Sequence, residues 1–193
     1  QLIKYFEKRG VKHIFGLCGY TNIAVLSALE KSSIAFVNVR HEQIAAHAAD
    51  GYARVTGKAA VVLSHLGPGL TNASTGVANA ALDCIPMVVI AGDVPSHYYG
   101  KHPHQEVNLH ADGAQHEIYR PFVKRAWRVE RPELFPEIIE KALMRHTLST
   151  RKPMRWHGDL RAVRFSLPRP DREHEAGRCG QQGCQHKTGC PRR

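Results

Sequence analysis

Two short apolar runs separated by a stretch of small residues most strongly constrain how this chain folds. The runs AAVVLS at 59–64 and PMVVIAG at 86–92 are rich in Val and too short for helices, which is typical of strands buried on both faces. The residues between them, at about 70–82, favour a helix. This order predicts a βαβ unit with two parallel strands and a helix packed against their sheet.

The same alternation extends over residues 1–148, which we expect to form one domain. The pattern predicts helices at 1–9, about 22–29, 41–55, 70–82 and about 134–143, and strands at 13–16, 34–39, 59–64, 86–92 and 122–129. Residues 93–118 show little periodicity, and HLGPGLTN is predicted to be a loop before the fourth helix. The expected fold is α/β, a parallel sheet flanked by helices on both faces.

The formal net charge of +10 is concentrated in the last quarter of the chain. Residues 1–144 contribute +2 and residues 145–193 contribute +8, and from Pro168 onward there is no large apolar or aromatic residue to bury. We therefore predict that 149–193 is a disordered basic tail. Because the hydrophobic pattern also stops there, we hypothesise that this segment comes from a shifted reading frame or a faulty gene model.

A functional tail is the alternative interpretation. Cys179, Cys184, His186 and Cys190 could bind zinc, but their spacing lacks the usual paired C-x2-C arrangement. The tail has no aromatic residue after Phe165 to stack on bases, so nucleic acid is a disfavoured partner. The histidines of the middle segment also lack a metal-ligand spacing, and we predict no metal site from them.

Membrane insertion and export are not indicated. No apolar run approaches the roughly 18 residues of a membrane span, and the opening QLIKYFEKRG does not resemble a secretory signal. We expect a cytoplasmic protein whose five cysteines are reduced.

Glu42 is the first candidate for chemistry, because it follows an apolar strand and begins an Ala-rich helix. It could simply be a helix N-terminal carboxylate favoured by the macrodipole. It could also lie at the carboxyl end of a strand, where parallel sheets bind ligands, and exchange a proton with a heterocyclic nitrogen. The GPG at 67–69 lies at a similar junction, but it matches neither the dinucleotide fingerprint nor the P-loop, and a tight turn explains it equally well.

Two longer strings, taken together, resemble a known family. RHEQIAAHAADGYARVTGK and HLGPGLTNASTGVANAALDCIPMVVIAGDVP are similar, in order and spacing, to the N-terminal pyrimidine-binding domain of thiamine diphosphate enzymes, especially the acetolactate synthase-like group. The resemblance covers roughly residues 1–148. It implies thiamine diphosphate as the cofactor and decarboxylation or carboligation of a small 2-oxo acid as the activity.

The resemblance also implies residue roles. Glu42 matches the catalytic glutamate that hydrogen-bonds N1′ of the aminopyrimidine. The loop beside that ring is matched by Gly67, Pro68, Gly69 and Asn72. Gln105 matches a glutamine near substrate or a second cofactor. Its neighbour His104 stands where the synthases usually have Phe, so the resemblance does not imply that this chain shares their substrate preference. Gly19 and Tyr20 match the loop after the first strand, although Tyr20 replaces a small residue and could be a surface aromatic.

The family binds Mg²⁺ and the diphosphate through a GDG motif and a later Asn in a second domain, and this sequence contains no GDG. The resemblance therefore implies Mg²⁺ held by a domain outside this sequence, an active site between subunits of a homo-oligomer, and a chain that is inactive alone. The Ala- and Gly-rich faces of the helices at 41–55 and 70–82 would permit close packing in such a dimer. Whether FAD binds stays open, as do a 2-hydroxyacyl lyase or decarboxylase activity and a catalytically silent interaction module.

Overall fold

Six parallel strands form a single sheet in a computed structural model of the chain, which describes residues 1–98, 101, 104–107, 114–144 and 161–165. The strands are β1 His13–Gly16, β2 Ala35–Asn38, β3 Ala60–Ser64, β4 Met87–Gly92, β5 Arg125–Val129 and β6 Arg161–Phe165. Their order across the sheet is β2-β1-β3-β4-β6-β5. The helices are α1 Leu2–Lys8, α2 Ile23–Leu29, α3 Glu42–Thr56, α4 Gly67–Leu82 and α5 Phe135–Met144.

Helices cover both faces of the sheet, so the predicted α/β fold is confirmed. Side chains of β3 alternate between two cores: Val62 packs with α3 and α4, whereas Val61 and Leu63 pack with α1, α2 and α5. All five residues of β3 and all six of β4 are buried. This double burial explains why both strands have continuous apolar sequences.

The strand order reverses between β1 and β3. The chain passes from β1 outward to β2 and then returns to the other side of β1 to form β3. Ligands of open parallel sheets bind at the carboxyl ends of strands beside such a reversal. The residues just after Gly16 and Ser64 therefore occupy the favoured position for a site.

The GPG segment is helical, so the prediction of a loop over residues 67–69 is wrong. Gly67, Pro68 and Gly69 form the first turn of α4. Proline is tolerated in the first turn because its missing N–H would have no intrahelical partner there. The helix consequently begins directly at the end of β3, with one short connection at His65 and Leu66.

The small-residue faces of α3 and α4 pack inside the chain and not on a partner. Ala45, Ala46 and Ala49 of α3 are fully buried, and a Cβ added at Gly76 of α4 would lie 2.6 Å from the Cβ of Ala46. The expectation that these faces form a dimer contact is therefore wrong. They allow α3 and α4 to approach each other closely above the sheet.

The segment 149–193 differs in part from the prediction of disorder. The backbone of Arg161–Phe165 pairs with β4 on one side and β5 on the other. The disorder predicted from Pro168 onward, and the zinc and nucleic-acid alternatives for the tail, fall outside the described residues. The domain boundary at 148 and the shifted reading frame stay predictions. Within the described part of the chain, no helix has the length and apolarity needed to cross a membrane.

Candidate functional site

Glu42 is the first residue of α3, and its position is fixed by the helix start. His41 caps the helix by accepting a hydrogen bond at Nδ1 from the Gln43 backbone, 3.2 Å away. Glu42 is only 5% exposed although it is an acidic residue at a helix N-terminus. A carboxyl group that simply favoured the helix dipole would be expected at the surface, so this burial requires another explanation.

Asn72 and Gly69 of α4 form the surroundings of the Glu42 carboxyl group. Asn72 Nδ2 donates to Glu42 Oε2 across 3.1 Å. A Cβ added at Gly69 would lie 3.3 Å from Glu42 Oε1 and 2.5 Å from Ser64 Oγ. Ser64, Glu42 and His65 therefore pack against the position that a Gly69 side chain would occupy, and this close packing requires glycine there.

Tyr119 lies behind this group and is almost fully buried. Its hydroxyl donates to the Leu70 carbonyl across 2.6 Å. Burial, and secondarily the nearby Glu42 carboxylate, raise the pKa of the Tyr119 hydroxyl far above its ordinary value. Tyr119 therefore remains a neutral donor and stabilises the first turn of α4 against the sheet.

The loop after β1 is folded by Asn22. Its Oδ1 accepts from the Gly19 backbone at 2.9 Å, and its Nδ2 donates to the Leu17 carbonyl at 3.0 Å. Gly19 packs against the His65 ring, whereas Tyr20 is 81% exposed. The structure thus brings Gly19 to the end of β3 and leaves Tyr20 at the surface.

Gln105 reaches the same region from the segment after β4. Its backbone carbonyl accepts from the Gly67 N–H at 3.2 Å, and its side-chain Oε1 lies 2.8 Å from His65 Nε2. His104 is an exposed turn residue. Residues from the ends of β1, β3 and β4 and from the starts of α3 and α4 therefore meet at one edge of the sheet.

Comparison with known proteins decides the family. Residues 1–113 match the model described as "Thiamine pyrophosphate enzyme, N-terminal TPP binding domain". This chain belongs to that family. The match includes Glu42, Gly69 and Asn72, so the residues that the structure brings into contact all lie within the thiamine pyrophosphate-binding domain.

Curated relatives of this thiamine pyrophosphate enzyme domain include acetolactate synthases. The chain is 44% identical over 142 residues to the acetolactate synthase large subunit of Buchnera aphidicola subsp. Schizaphis graminum, covering 73% of this chain and 24% of the relative. It is 42% identical over 142 residues to the isozyme 3 large subunit of Escherichia coli, with the same coverage. A probable large subunit of Methanocaldococcus jannaschii is 37% identical over 159 residues, which cover 82% of this chain and 26% of the relative. The chain thus spans about a quarter of the length of these relatives.

The donor set of this thiamine pyrophosphate enzyme domain fits the pyrimidine end of the cofactor. A buried carboxyl group suits a ring nitrogen that exchanges a proton, and the Asn72 amide fixes the orientation of that carboxyl group. Sequence reasoning did not include Ser64, His65 or Thr21 in this site. A signal was present, since Ser64 and His65 are polar residues at the end of a wholly apolar strand and directly precede the GPG turn.

Proposed function

We propose that this chain binds the aminopyrimidine half of thiamine diphosphate and supplies Glu42 to an acetolactate synthase-like enzyme acting on a small 2-oxo acid. The observation that carries this proposal is the buried Glu42 carboxyl group, held by Asn72 beside Gly69 at the reversal of strand order. The names of the acetolactate synthase relatives support the reaction class.

Each residue would have a distinct role. Glu42 would exchange a proton with a ring nitrogen of the pyrimidine. Because its carboxyl group is buried, the oxygen would contact that nitrogen directly, without a water molecule between them. Asn72 would hold Glu42 Oε2 in place through the 3.1 Å hydrogen bond. Gly69 would contact one side of the ring. The bound cofactor would supply an electron sink for decarboxylation and carbon–carbon bond formation.

The remaining parts of the proposal concern groups beyond this chain. Mg²⁺ and the diphosphate would be held by a second domain, and the complete site would lie between subunits of an oligomer. The chain would then be inactive alone. FAD as a second cofactor and a cytoplasmic location stay predictions from the sequence.

The test is a titration of the 193-residue chain with thiamine diphosphate and Mg²⁺, followed by two-dimensional NMR and calorimetry. We expect weak, saturable binding, in the millimolar range of a site that holds half of a ligand, with the largest shifts at Gly69 and Asn72. Glu42→Gln should weaken binding, because a neutral amide cannot make the charge-assisted hydrogen bond that a carboxylate makes with a protonated ring nitrogen. Asp50→Asn, a change at another buried acid of α3, is the matched control and should leave binding unchanged.

Three outcomes would contradict parts of the proposal. Saturable shifts confined to another surface would place the ligand elsewhere. Absence of any saturable shift in the folded chain would contradict binding of the aminopyrimidine half by this chain alone. Equal binding by the wild type and Glu42→Gln would remove Glu42 from the ligand site. A 2-hydroxyacyl lyase or decarboxylase would share the thiamine diphosphate result and differ in the substrate that binds next.

A further inference from the structure

Three residues from three separate segments form a chain of side-chain hydrogen bonds beside the candidate site. Thr21, after β1, places its Oγ1 2.7 Å from Nδ1 of His65, which follows β3. Nε2 of the same ring lies 2.8 Å from Oε1 of Gln105, which follows β4. A Cβ at Gly69 would lie 3.3 Å from both His65 Cβ and Glu42 Oε1. These three hydrogen-bonded side chains therefore lie next to Glu42, the proposed contact of the thiamine ring.

The chemistry of these atoms assigns a direction to both hydrogen bonds. The Gln105 oxygen only accepts, so the His65 Nε2 must carry the hydrogen. In a neutral imidazole the Nδ1 is then an acceptor, and Thr21, whose hydroxyl can donate, completes the pattern. Thr21 therefore favours the Nε2–H tautomer of His65 from the far side of the ring.

Two glycines make room for this arrangement. A Cβ at Gly19 would lie 2.6 Å from the His65 ring carbon Cγ, although the extended φ of −149° at Gly19 suits any residue. A Cβ at Gly92, the last residue of β4, would lie 2.1 Å from Thr21 Oγ1. Close approach of the Thr21 and His65 side chains therefore requires glycine at both positions.

The backbone of Gln105 is held as firmly as its side chain. Its φ is +69°, in the left-handed region that non-glycine residues seldom adopt. Such a conformation persists where the surroundings fix it, and here the Gln105 carbonyl accepts from the first N–H of α4 at Gly67. Gln105 is thus anchored by Gly67 through its backbone and by His65 through its side chain, although it remains exposed to solvent.

We propose that Thr21 and His65 are positioning residues for Gln105. Thr21 fixes the tautomer of His65, and His65 binds the carboxamide oxygen of Gln105 so that the NH₂ group is turned away from the ring as a donor for an oxygen of the substrate. The ligand class is a carboxylate or carbonyl such as a 2-oxo acid presents. This last step rests on the proposed function, whereas the tautomer of His65 does not.

The first test is nitrogen NMR of histidine-labelled 193-residue chain at alkaline pH, where an imidazole is neutral. We expect the His65 ring, assigned by loss of its signals in His65→Gln, to be one fixed Nε2–H tautomer. Thr21→Val, which keeps the side-chain shape, should reduce the preference for this tautomer, because only the Gln105 oxygen then favours it, and Thr21→Ser should preserve the preference. A Nδ1–H tautomer, or a wild-type ring that already averages between tautomers, would overturn the proposal that Thr21 and His65 position Gln105, which we call the relay.

The second test follows the side-chain NH₂ signals of Gln105 while pyruvate is titrated into the same chain in the presence of thiamine diphosphate and Mg²⁺. We expect these signals to shift saturably with pyruvate concentration. Thr21→Val should raise the apparent Kd for pyruvate about fivefold, the change that corresponds to one hydrogen bond. A fixed Nε2–H tautomer combined with no pyruvate-dependent shift would overturn the ligand assignment and leave the relay intact. Failure of the tautomer test would overturn the relay whether or not pyruvate binds.

Discussion

Helix α3 carries two buried acids, Glu42 and Asp50, whose surroundings are alike in one respect and different in another. Each accepts a hydrogen bond from an asparagine of α4: Asn72 donates to Glu42 at 3.1 Å and Asn79 donates to Asp50 at 3.0 Å. Both acids have similarly low exposure, 5% and 6%. Roughly two helical turns separate them.

The difference lies in the charges around them. Arg54 Nε lies 3.0 Å from Asp50, and the other end of its guanidinium contacts Asp83 at 2.6 Å. Among the described residues, no ion pair includes Glu42, which lies instead beside Gly69 at the end of the sheet. A buried acid that is paired with a cation holds helices together, whereas one held only by an amide keeps its oxygen available for a ligand.

The largest effect on stability should come from Asp50→Ala. This change leaves Asn79 without its acceptor and removes the inner partner of Arg54, so we expect the free energy of unfolding to fall by about 3 kcal/mol. Chemical denaturation measures this value. Asp83→Ala, which removes the exposed outer partner, is the control and should cost less than about 1 kcal/mol. Equal losses in the free energy of unfolding for the two variants would show that the buried position of Asp50 does not strengthen its interaction with Arg54.

Gly76→Ala should follow, because Gly76 lies on α4 between Asn72 and Asn79 and sets the helix separation for both contacts. The new methyl group would lie 2.6 Å from Ala46 Cβ and 3.1 Å from the His47 nitrogen. We expect a net loss of about 1–2 kcal/mol, since overpacking exceeds the gain in helix propensity. Gly51→Ala, on the open side of α3 with nothing within 4 Å, should instead stabilise the chain. Thermal melting measures both changes. A gain in melting temperature for Gly76→Ala as large as that for Gly51→Ala would show that helix propensity, and not close packing, decides the effect.

Tyr119→Phe tests the Glu42 side of the comparison and should cost about 1 kcal/mol near neutral pH, through loss of the hydrogen bond to Leu70. Because the pKa of folded Tyr119 is raised, chiefly by burial, its contribution is complete below about pH 10, where an unfolded tyrosine ionises. Above that pH the contribution falls by about 1.4 kcal/mol per pH unit, so the wild type should lose its advantage over Tyr119→Phe.

Denaturation between neutral pH and pH 11, a range of about four units around the ordinary tyrosine pKa, measures that convergence. Tyr20→Phe is the control, because the exposed Tyr20 ring should contribute little to the free energy of unfolding. A constant gap between the wild type and Tyr119→Phe would contradict the assigned pKa direction.

The sequence predicted the framework of this molecule better than its details. Runs such as AAVVLS are Val-rich and too short for a helix, and Gly57 ends α3 with a φ of +65° that favours glycine, so these elements were predictable from local chemistry. The helical start at Gly67 was missed, because glycine and proline usually indicate a turn and the tertiary contact from Gln105 to the Gly67 N–H has no local signal.

The site could be predicted in part for the same reason. Glu42 and Asn72 lie 30 residues apart, and family resemblance identified both without showing that they touch. The hydrogen bonds from Thr21 through His65 to Gln105 join three segments that are far apart in sequence, so only the folded structure reveals them. The burial of the Ala faces of α3 and α4 inside the chain likewise depends on a packing partner that composition does not identify.

The smallest effect on stability should come from Glu42→Gln, and it gives the sharpest comparison with Asp50→Asn. Both changes replace a carboxyl group by an amide of the same shape, and both keep an oxygen for the asparagine of α4. At Asp50 the change also removes the charge that Arg54 contacts, so we expect a loss of about 1 kcal/mol after allowing for the partial exposure of Arg54.

At Glu42 no cation of the described residues loses a partner, and we expect a change within about 0.5 kcal/mol. Removal of the Glu42 charge should at the same time lower the pKa of Tyr119, because that charge is its second cause after burial. Paired denaturation curves at neutral pH measure the two losses of stability. If Glu42→Gln were as destabilising as Asp50→Asn, the two acids would be equivalent structural groups, and the argument that Glu42 is kept available for a ligand would fail.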